Sequence, residues 1–294
     1  VQNAAADVLF NTDENLLLTA STASGKTEAA FFPILTLLEE NPSSSVGVLY
    51  IAPLKALIND QFSRLNFICE EANIKVTRWH GDVTQHGKRN LWKKPSGILQ
   101  ITPDSLESLM INKHMEISSL FHDLRFILID EIHSLLRADR GLQTFCLIER
   151  LCKMAGCSPR RVGLSATIGN PRLAGNFLSS GSKRKTLIPE FDRGKETWRL
   201  SMEHFFNTEP QAACYEDTAK EVKTGYAPKG ANPGLAYIFE HTKGKKCLVF
   251  TNSREECEIV CQQLRQYCEA NHEFDRFLIH HGNLSASYRE SAEE

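Results

Sequence analysis

Two short segments of this chain carry residue types and spacings that could do chemistry. The first is Ala20-Ser21-Thr22-Ala23-Ser24-Gly25-Lys26-Thr27. It lies between an apolar run and a helical pattern, the context in which a glycine-containing loop wraps phosphate. Successive backbone N–H groups there can curl around phosphate oxygens, and the N-terminus of the following helix adds positive dipole. Lys26 supplies a mobile charge for terminal phosphates, and the Thr27 hydroxyl is placed to ligate Mg²⁺. Thr22, Ala23, Ser24, Gly25, Lys26 and Thr27 are therefore candidate ATP-binding residues. The strict pattern G-x-x-x-x-G-K-[ST] is missed at its first position, where Ala20 stands. Taken singly, the segment also fits a loop that happens to contain Gly-Lys-Thr.

The second segment is Phe126-Ile127-Leu128-Ile129-Asp130-Glu131-Ile132-His133. Four apolar residues predict a buried strand, with two carboxylates emerging at its C-terminal end, the edge where parallel sheets bind ligands. Adjacent side chains on an extended chain point opposite ways. One carboxylate can hold Mg²⁺ while the other polarises a water; Asp130 is assigned to the metal and Glu131 to the attacking water, with Lys26 completing the catalytic set. An acidic pair that merely faces solvent is the bland alternative, and the upstream phosphate loop makes it a poor one.

These residues need a sheet to position them, and the pattern provides one. Apolar runs at 15–20, 46–52, 74–80, 97–102, 125–129 and 161–165 read as strands. They alternate with helical patterns at 26–40, 55–72, 104–111, 144–155 and 170–178. Such alternation predicts an α/β fold, a parallel sheet covered by helices. The pattern breaks after about Pro189, which divides the chain into 1–189 and 190–294. In the second part, 198–206, 246–251 and 274–280 read as strands of a second sheet, and 214–233 as a polar loop rich in Gly and Pro. Ser253 caps a helix whose first turn carries Glu255 and Glu256.

The 294 residues are 41% hydrophobic and 24% charged, with a formal net charge of -2. That is ordinary globular composition, and no global charge announces a nucleic-acid partner. Basic residues cluster only locally, at Lys88, Arg89, Lys93 and Lys94, at Arg160 and Arg161, and at Lys183, Arg184 and Lys185, each of which fits a solvated face. Nine scattered cysteines include no C-x-x-C pair, so neither a disulfide framework nor a zinc site is indicated. Cys257, Cys261 and Cys268 share a helical face with Val260 and Leu264 and read as core residues. Free thiols point to a reducing, cytoplasmic setting, and no apolar run is long enough to span a bilayer. The chain opens without Met and closes on a helical pattern, so both ends are expected to continue into a longer protein.

Gly-Lys-Thr, then Asp-Glu-Ile-His, then Ser165-Ala166-Thr167 resembles the superfamily 2 helicases of the DExH/DEAD-box kind. Further segments resemble the Lhr-like (large helicase-related) branch: Thr27-Glu28-Ala29-Ala30-Phe31, Pro53-Leu54-Lys55-Ala56-Leu57, Arg140-Gly141, Gly163 through Pro171, and His280 through Ser285. The resemblance implies two RecA-like lobes, the first whole and the second represented by its N-terminal part. It implies that Gln2 reads adenine and that Ser165, Ala166 and Thr167 couple ATP state to strand binding. It also implies that Pro53, Lys55, Gly81, Thr102, Pro103 and Asp104, with Thr251, Asn252 and Arg254 of the second lobe, line the nucleic-acid path. Lys55 and Thr102 also follow strands directly, at the edge carrying the phosphate loop, where helix starts and short polar side chains track a backbone.

Two departures stand out. Ala23 replaces the family's glycine. After Ser285 the chain lacks the family's motifs V and VI, whose arginines face ATP; such a finger arginine is worth on the order of 10³–10⁵ in rate, so this chain is expected to be weakly active or inactive alone. The expected function is an ATP- and Mg²⁺-dependent helicase or translocase core. Its partners are single-stranded or partly duplex nucleic acid, DNA ahead of RNA and 3′-to-5′ by resemblance, and the other domains of the parent chain, with no membrane. An RNA helicase and an ATP-gated nucleic-acid binding module are the alternatives. Trp79 and Trp92 could stack on bases, but packing is the better expectation for them, as positioning rather than metal binding is for His133.

Overall fold

The computed structural model describes residues 1–21, 24–80, 91–136, 139–166, 168–190, 199–205 and 232–281, together with Leu284, Tyr288 and Ala292. Thr22, Ala23, Gly81 and Thr167 lie outside the described residues. The chain divides into two compact units, Val1–Lys195 and Glu196–Glu294.

In the first unit, aliphatic runs form β1 (Asn15–Thr19), β2 (Val46–Ile51), β3 (Val76–Trp79), β4 (Gly97–Ile101), β5 (Phe126–Ile129) and β6 (Arg160–Ser165), and Thr186–Leu187 adds a short β7. All pairings are parallel and the order is β3-β4-β2-β5-β6-β1-β7. Both faces are covered, so alternate residues of one strand enter two different cores. Leu16, Leu18, Val48, Tyr50 and Leu128 pack with α1 (Gln2–Asn11), α2 (Lys26–Glu40) and α3 (Lys55–Glu71). Leu17, Leu49, Ile51, Ile127 and Ile129 face α4 (Pro103–Asn112), α5 (Ile117–Phe121), α6 (Ile132–Leu135), α7 (Asp139–Ala155) and α8 (Pro171–Ser179). Helix α7 begins at Asp139 rather than at 144, because Gly141 is accommodated within its first turn rather than ending it. Helix α1, which the apolar pattern did not announce, buries Ala5, Val8 and Leu9 against this layer. Trp79 and Trp92 pack edge to face with ring centroids 5.6 Å apart, which gives them the packing role.

The parallel register places the strand ends in one lateral row. Ile51 is level with Ile129 and with Ile101, and Trp79 is level with Ile101. The ladder continues one residue further, with Ala52 N–H donating to Ile101 O at 3.1 Å and Asp130 N–H to Ile51 O at 2.9 Å. His80, Thr102, Ala52 and Asp130 therefore end neighbouring strands at the same level. Thr19 is level with Ser165, and Ala20 N–H donates to Ser165 O at 3.2 Å.

The second unit holds α9 (Pro233–His241) and α10 (Arg254–Ala270). Leu235 and Phe239 pack on Leu264, Tyr267 and Cys268, with the Phe239 and Tyr267 rings 5.3 Å apart. Cys261 and Cys268 are buried and Cys257 only partly so. Of the loop expected over 214–233, residues 214–231 lie outside the described residues, and α9 starts at its last position, Pro233. Asn232 caps the helix and Pro233 opens it, a position where a missing N–H costs nothing. The strands expected over 198–206, 246–251 and 274–280 are not formed among the described residues. An extended segment becomes a strand only when a neighbour supplies ladder partners. The apolar side chains of these segments stand open, with Leu248 85% and Phe250 88% exposed.

Gln100 is fully buried on β4, second from the sheet edge, level with Tyr50 and Arg78, and among the described residues neither of its amide atoms has a hydrogen-bond partner. An unsatisfied buried polar group costs about 1–3 kcal/mol. Gln100→Met, close in volume and apolar, is expected to raise stability by that order in urea unfolding. A lower midpoint would show that the amide is satisfied in solution.

Candidate functional site

The site is built where β1, β5 and β6 end. Gly25 caps α2 in the left-handed region at φ +74, a conformation that only glycine adopts without strain. A Cβ there would lie 3.5 Å from Gln2 Nε2, so the Gln2 amide sits against the loop. Lys26 Nζ donates to Ala20 O at 2.9 Å and to Ser21 O at 2.6 Å. Burial lowers the pKa of its ammonium, while Glu131 and Asp130 oppose that shift by favouring the charged form. The Ser24 hydroxyl is buried within the loop with no protein partner. Thr27 follows Lys26 in the first turn of α2, half-buried.

Asp130 is 7% exposed, and both carboxylate oxygens are held. Oδ1 accepts from Glu131 N–H at 2.8 Å, and Oδ2 accepts a short hydrogen bond from the Tyr50 hydroxyl on β2. Glu131 has φ +47 and ψ 42, a left-handed conformation unusual for a residue with a Cβ. Strain of this kind persists where surrounding structure enforces it, often at functional sites. The turn redirects the chain into α6, separating the Glu131 carboxylate from that of Asp130. Glu131 Oε2 lies 3.1 Å from His133 Nδ1. The same nitrogen is 3.3 Å from Ser165 Oγ and accepts from Ala166 N–H at 3.3 Å. His133 Nδ1 thus lies between the Glu131 carboxylate and the end of β6, and as one ring nitrogen it donates to Glu131 or accepts from Ala166 N–H, not both at once.

Lys26, Ser24, Gly25, Thr27, Gln2, Asp130, Glu131, Ser165 and Ala166 are thereby gathered on one part of the edge. The remaining first-unit candidates end the neighbouring strands. Pro53 follows β2, and Lys55 opens α3 after the exposed Leu54 cap. Thr102 caps α4: its Oγ accepts from Ser105 N–H at 3.3 Å and donates to Ser105 Oγ at 2.9 Å. That buried hydroxyl is committed to the helix, so what this position offers outward is the helix start. Pro103 is buried in its first turn. Asp104 is paired with Arg140 of α7 at 2.5 Å, and Gln143 of the same helix donates to Glu107 at 2.7 Å. Thr251, Asn252 and Arg254 belong to the second unit, where they line a cleft of about 580 Å³ with His280 and His281. Ser253 caps α10 by accepting from Glu256 N–H at 3.0 Å, and Asn252 N–H donates to Glu256 Oε2 at 2.8 Å.

The donor set fits Mg²⁺. A hydroxyl and a carboxylate are hard oxygen donors, and Mg²⁺ is commonly held by one or two carboxylates together with substrate phosphates and water. Among the described residues no group of three or more His, Cys, Asp or Glu forms a protein cage. The orphaned Ser24 hydroxyl likewise suits a loop that receives an oxyanion.

A DEAD/DEAH box helicase profile matches residues 1–174. The chain belongs to this helicase family. It is 30% identical over 305 residues to the ATP-dependent helicase Lhr-Core of Sulfolobus acidocaldarius, covering 97% of this chain and 33% of the relative. It superposes on the Mycobacterium smegmatis helicase Lhr bound to ssDNA and AMP-PNP with a TM-score of 0.73 and 25% identity, over 99% of this chain and 37% of that one. The DEAD-box helicase Mss116, bound to ssRNA and UDP-BeF, shares the fold with a TM-score of 0.71 at 15% identity, over 99% of this chain and 56% of that one. The chain thus spans about one third of the length of the curated relatives it matches. Among the described residues no helix is long and apolar enough to cross a membrane.

Sequence reasoning missed Tyr50, whose only signal was a hydroxyl inside an otherwise apolar strand, and it met Gly141 only within the Arg140-Gly141 resemblance, without its packing. A Cβ on Gly141 would meet the Leu135 carbonyl oxygen at 1.7 Å, so α7 crosses directly over the last residue of α6. Gly→Ala inside a helix ordinarily gains about 1 kcal/mol. Here Gly141→Ala is expected to cost about 3 kcal/mol, the upper end for overpacking, and to weaken nucleotide binding by moving Glu131 and His133. A stabilised variant in thermal unfolding would refute this close approach.

Proposed function

We propose that this chain is the ATP-binding core of a nucleic-acid helicase or translocase. Its 1–189 part is the first RecA-like lobe, and 190–294 the beginning of the second. The observation that carries the reading is the convergence of the Gly25-Lys26-Thr27 loop, Asp130, Glu131 and Ser165-Ala166 on one edge of a parallel sheet.

The roles follow from position and chemistry. Gln2 lies against the loop, where an adenine edge can be read. The loop N–H groups and the α2 dipole receive phosphates. Lys26 exchanges its two carbonyl partners for the terminal phosphates. Asp130 and Thr27 hold Mg²⁺, which when bound neutralises phosphate charge. Glu131 orients the attacking water, and His133, whose Nδ1 can face either Glu131 or the Ser165-Ala166 end of β6, couples the two by exchanging one partner for the other. Helix starts at Lys55 and Pro103, with Gly81, Thr251, Asn252 and Arg254, follow one strand through its sugar-phosphate backbone. The ssDNA in the Lhr structure supports DNA ahead of RNA, and 3′-to-5′ movement in a reducing, cytoplasmic setting completes the reading. The other domains of the longer protein are its immediate partners.

The test is ATP turnover by the full-length parent protein with and without single-stranded DNA and RNA. Wild type is expected to be stimulated by DNA. Lys26→Ala is expected to lose nucleotide binding, whereas Glu131→Gln keeps binding and loses turnover by at least 100-fold, a common size for a water-activating group. Normal hydrolysis by Glu131→Gln would remove the water assignment. Binding of ATP with no response to either nucleic acid would favour an ATP-gated binding module over a motor.

A further inference from the structure

Asp130 is tied directly to the other half of the sheet edge. The nucleotide elements end β1, β5 and β6, and the elements assigned to the nucleic-acid strand end β2, β4 and β3. The boundary between the halves runs between β5 and β2. Across it, the Tyr50 hydroxyl donates to Asp130 Oδ2, while Glu131 N–H holds Oδ1. Tyr50 is fully buried, its ring 5.8 Å from that of Phe31 on α2, the helix that the phosphate loop opens into. β2 ends one residue after Tyr50, at Ile51, and leads through Ala52 and Pro53 to the start of α3 at Lys55.

From this geometry we infer that Tyr50 is a positioning residue for the metal carboxylate: its hydroxyl fixes the orientation of Asp130, so that Mg²⁺ affinity depends on where β2 lies. The inference rests on the reading of Asp130 as a metal ligand. A carboxylate anchored by one donor can rotate about its last torsion; anchored at both oxygens, by a hydroxyl on β2 and by a backbone N–H of the turn after β5, it presents its remaining lone pairs in one direction. A shift of β2 relative to β5 moves the hydroxyl and turns that carboxylate. Pro53 and Lys55 continue β2, so a strand pressing on them acts on the same rigid element. Tyr50 touches no phosphate and takes no part in bond making; it works only through Asp130.

The bland alternative is that a buried tyrosine simply needs an acceptor and found one. The two differ in what Tyr50→Phe changes. Phenylalanine keeps the ring against Phe31 and removes one oxygen, so the fold is retained. The measurement is binding of a fluorescent, slowly hydrolysed ATP analogue to the chain as a function of MgCl₂ concentration, repeated in EDTA. Mn²⁺ electron paramagnetic resonance with the same analogue provides a spectroscopic check on the metal, and a thermal midpoint checks the fold. Removing an outer-shell partner costs on the order of tenfold or more in metal affinity, so Tyr50→Phe is expected to raise half-saturating Mg²⁺ about tenfold. It should also broaden the Mn²⁺ distribution, and leave analogue binding in EDTA within about twofold, as expected if metal-free contacts are independent of the tie. In an Asp130→Asn background the same substitution is expected to add nothing further. If Asp130→Asn raises the Mg²⁺ requirement and Tyr50→Phe does not, the positioning role is overturned while the metal site stands. If Tyr50→Phe lowers only the thermal midpoint, the tie is structural and the inference fails. If Asp130→Asn leaves the Mg²⁺ requirement unchanged, the metal role of Asp130 falls and the inference with it.

Discussion

The first unit depends on one constraint: every strand of its sheet runs the same way, and all but the short β7 stop at nearly the same level. Parallel pairing forces each connection to return over a face, so loops that begin new helices collect at the carboxyl edge. With β1, β6, β5, β2, β4 and β3 side by side, segments from residue 20 to residue 166 come together although no two are near in sequence. The interactions that finish the site are then short and local. Ala20 reaches Ser165 through the extended ladder, His133 reaches Ala166 across the next gap, and Tyr50 reaches Asp130 across the one after. Each bridges adjacent strand ends, and together they make a continuous series from the phosphate loop to β2.

Most of this was legible in the sequence for a specific reason. A parallel strand buried on both faces is written as an uninterrupted aliphatic run. The run is clearest at β5, and apolar residues dominate β2 and β4 and residues 162–164 of β6 strongly enough to mark the strands and hence their ends, despite Tyr50, Gln100 and Arg160-Arg161. The phosphate loop and the Asp130–Glu131 pair were legible because their chemistry demands particular residues at strand ends. What escaped detection was contact made in three dimensions. Tyr50 reads as one more core residue until β2 and β5 are known to be neighbours. The need for glycine at Gly141 comes from the Leu135 carbonyl, on an element whose approach no local pattern encodes. Helix α1 escaped because its small, partly polar face gives little periodicity.

The second unit shows the converse. The apolar alternation at 246–251 and 274–280 is strand-like, yet those segments form no ladder among the described residues, and Leu248, Phe250 and Phe274 are left open to solvent. Pattern gives the preference of a segment, whereas a sheet is a property of neighbours. Helices α9 and α10 need no such neighbours, because their backbone bonds are internal. They pair through Phe239, Leu264 and Tyr267 and supply what core this unit has.

Lys26 shows how the edge is balanced electrostatically. Half-buried, its ammonium is disfavoured by lost hydration, and the nearby carboxylates of Glu131 and Asp130 work in the opposite direction. Its two hydrogen bonds are to carbonyls of its own loop, at Ala20 and Ser21. A neutral amine would be a poorer donor to those carbonyls, so the loop pose and the charge support one another. An incoming phosphate offers the same ammonium a stronger, charged acceptor, and it adds negative charge close to two carboxylates that repel it. The carboxylate pair therefore keeps Lys26 charged but opposes the anion that Lys26 would bind. A divalent cation held by Asp130 and Thr27, as proposed, would supply the positive charge that offsets that repulsion. If Asp130 holds that cation as proposed, its orientation, and the Tyr50 hydroxyl bonded to it, would bear on nucleotide affinity as well as on metal affinity.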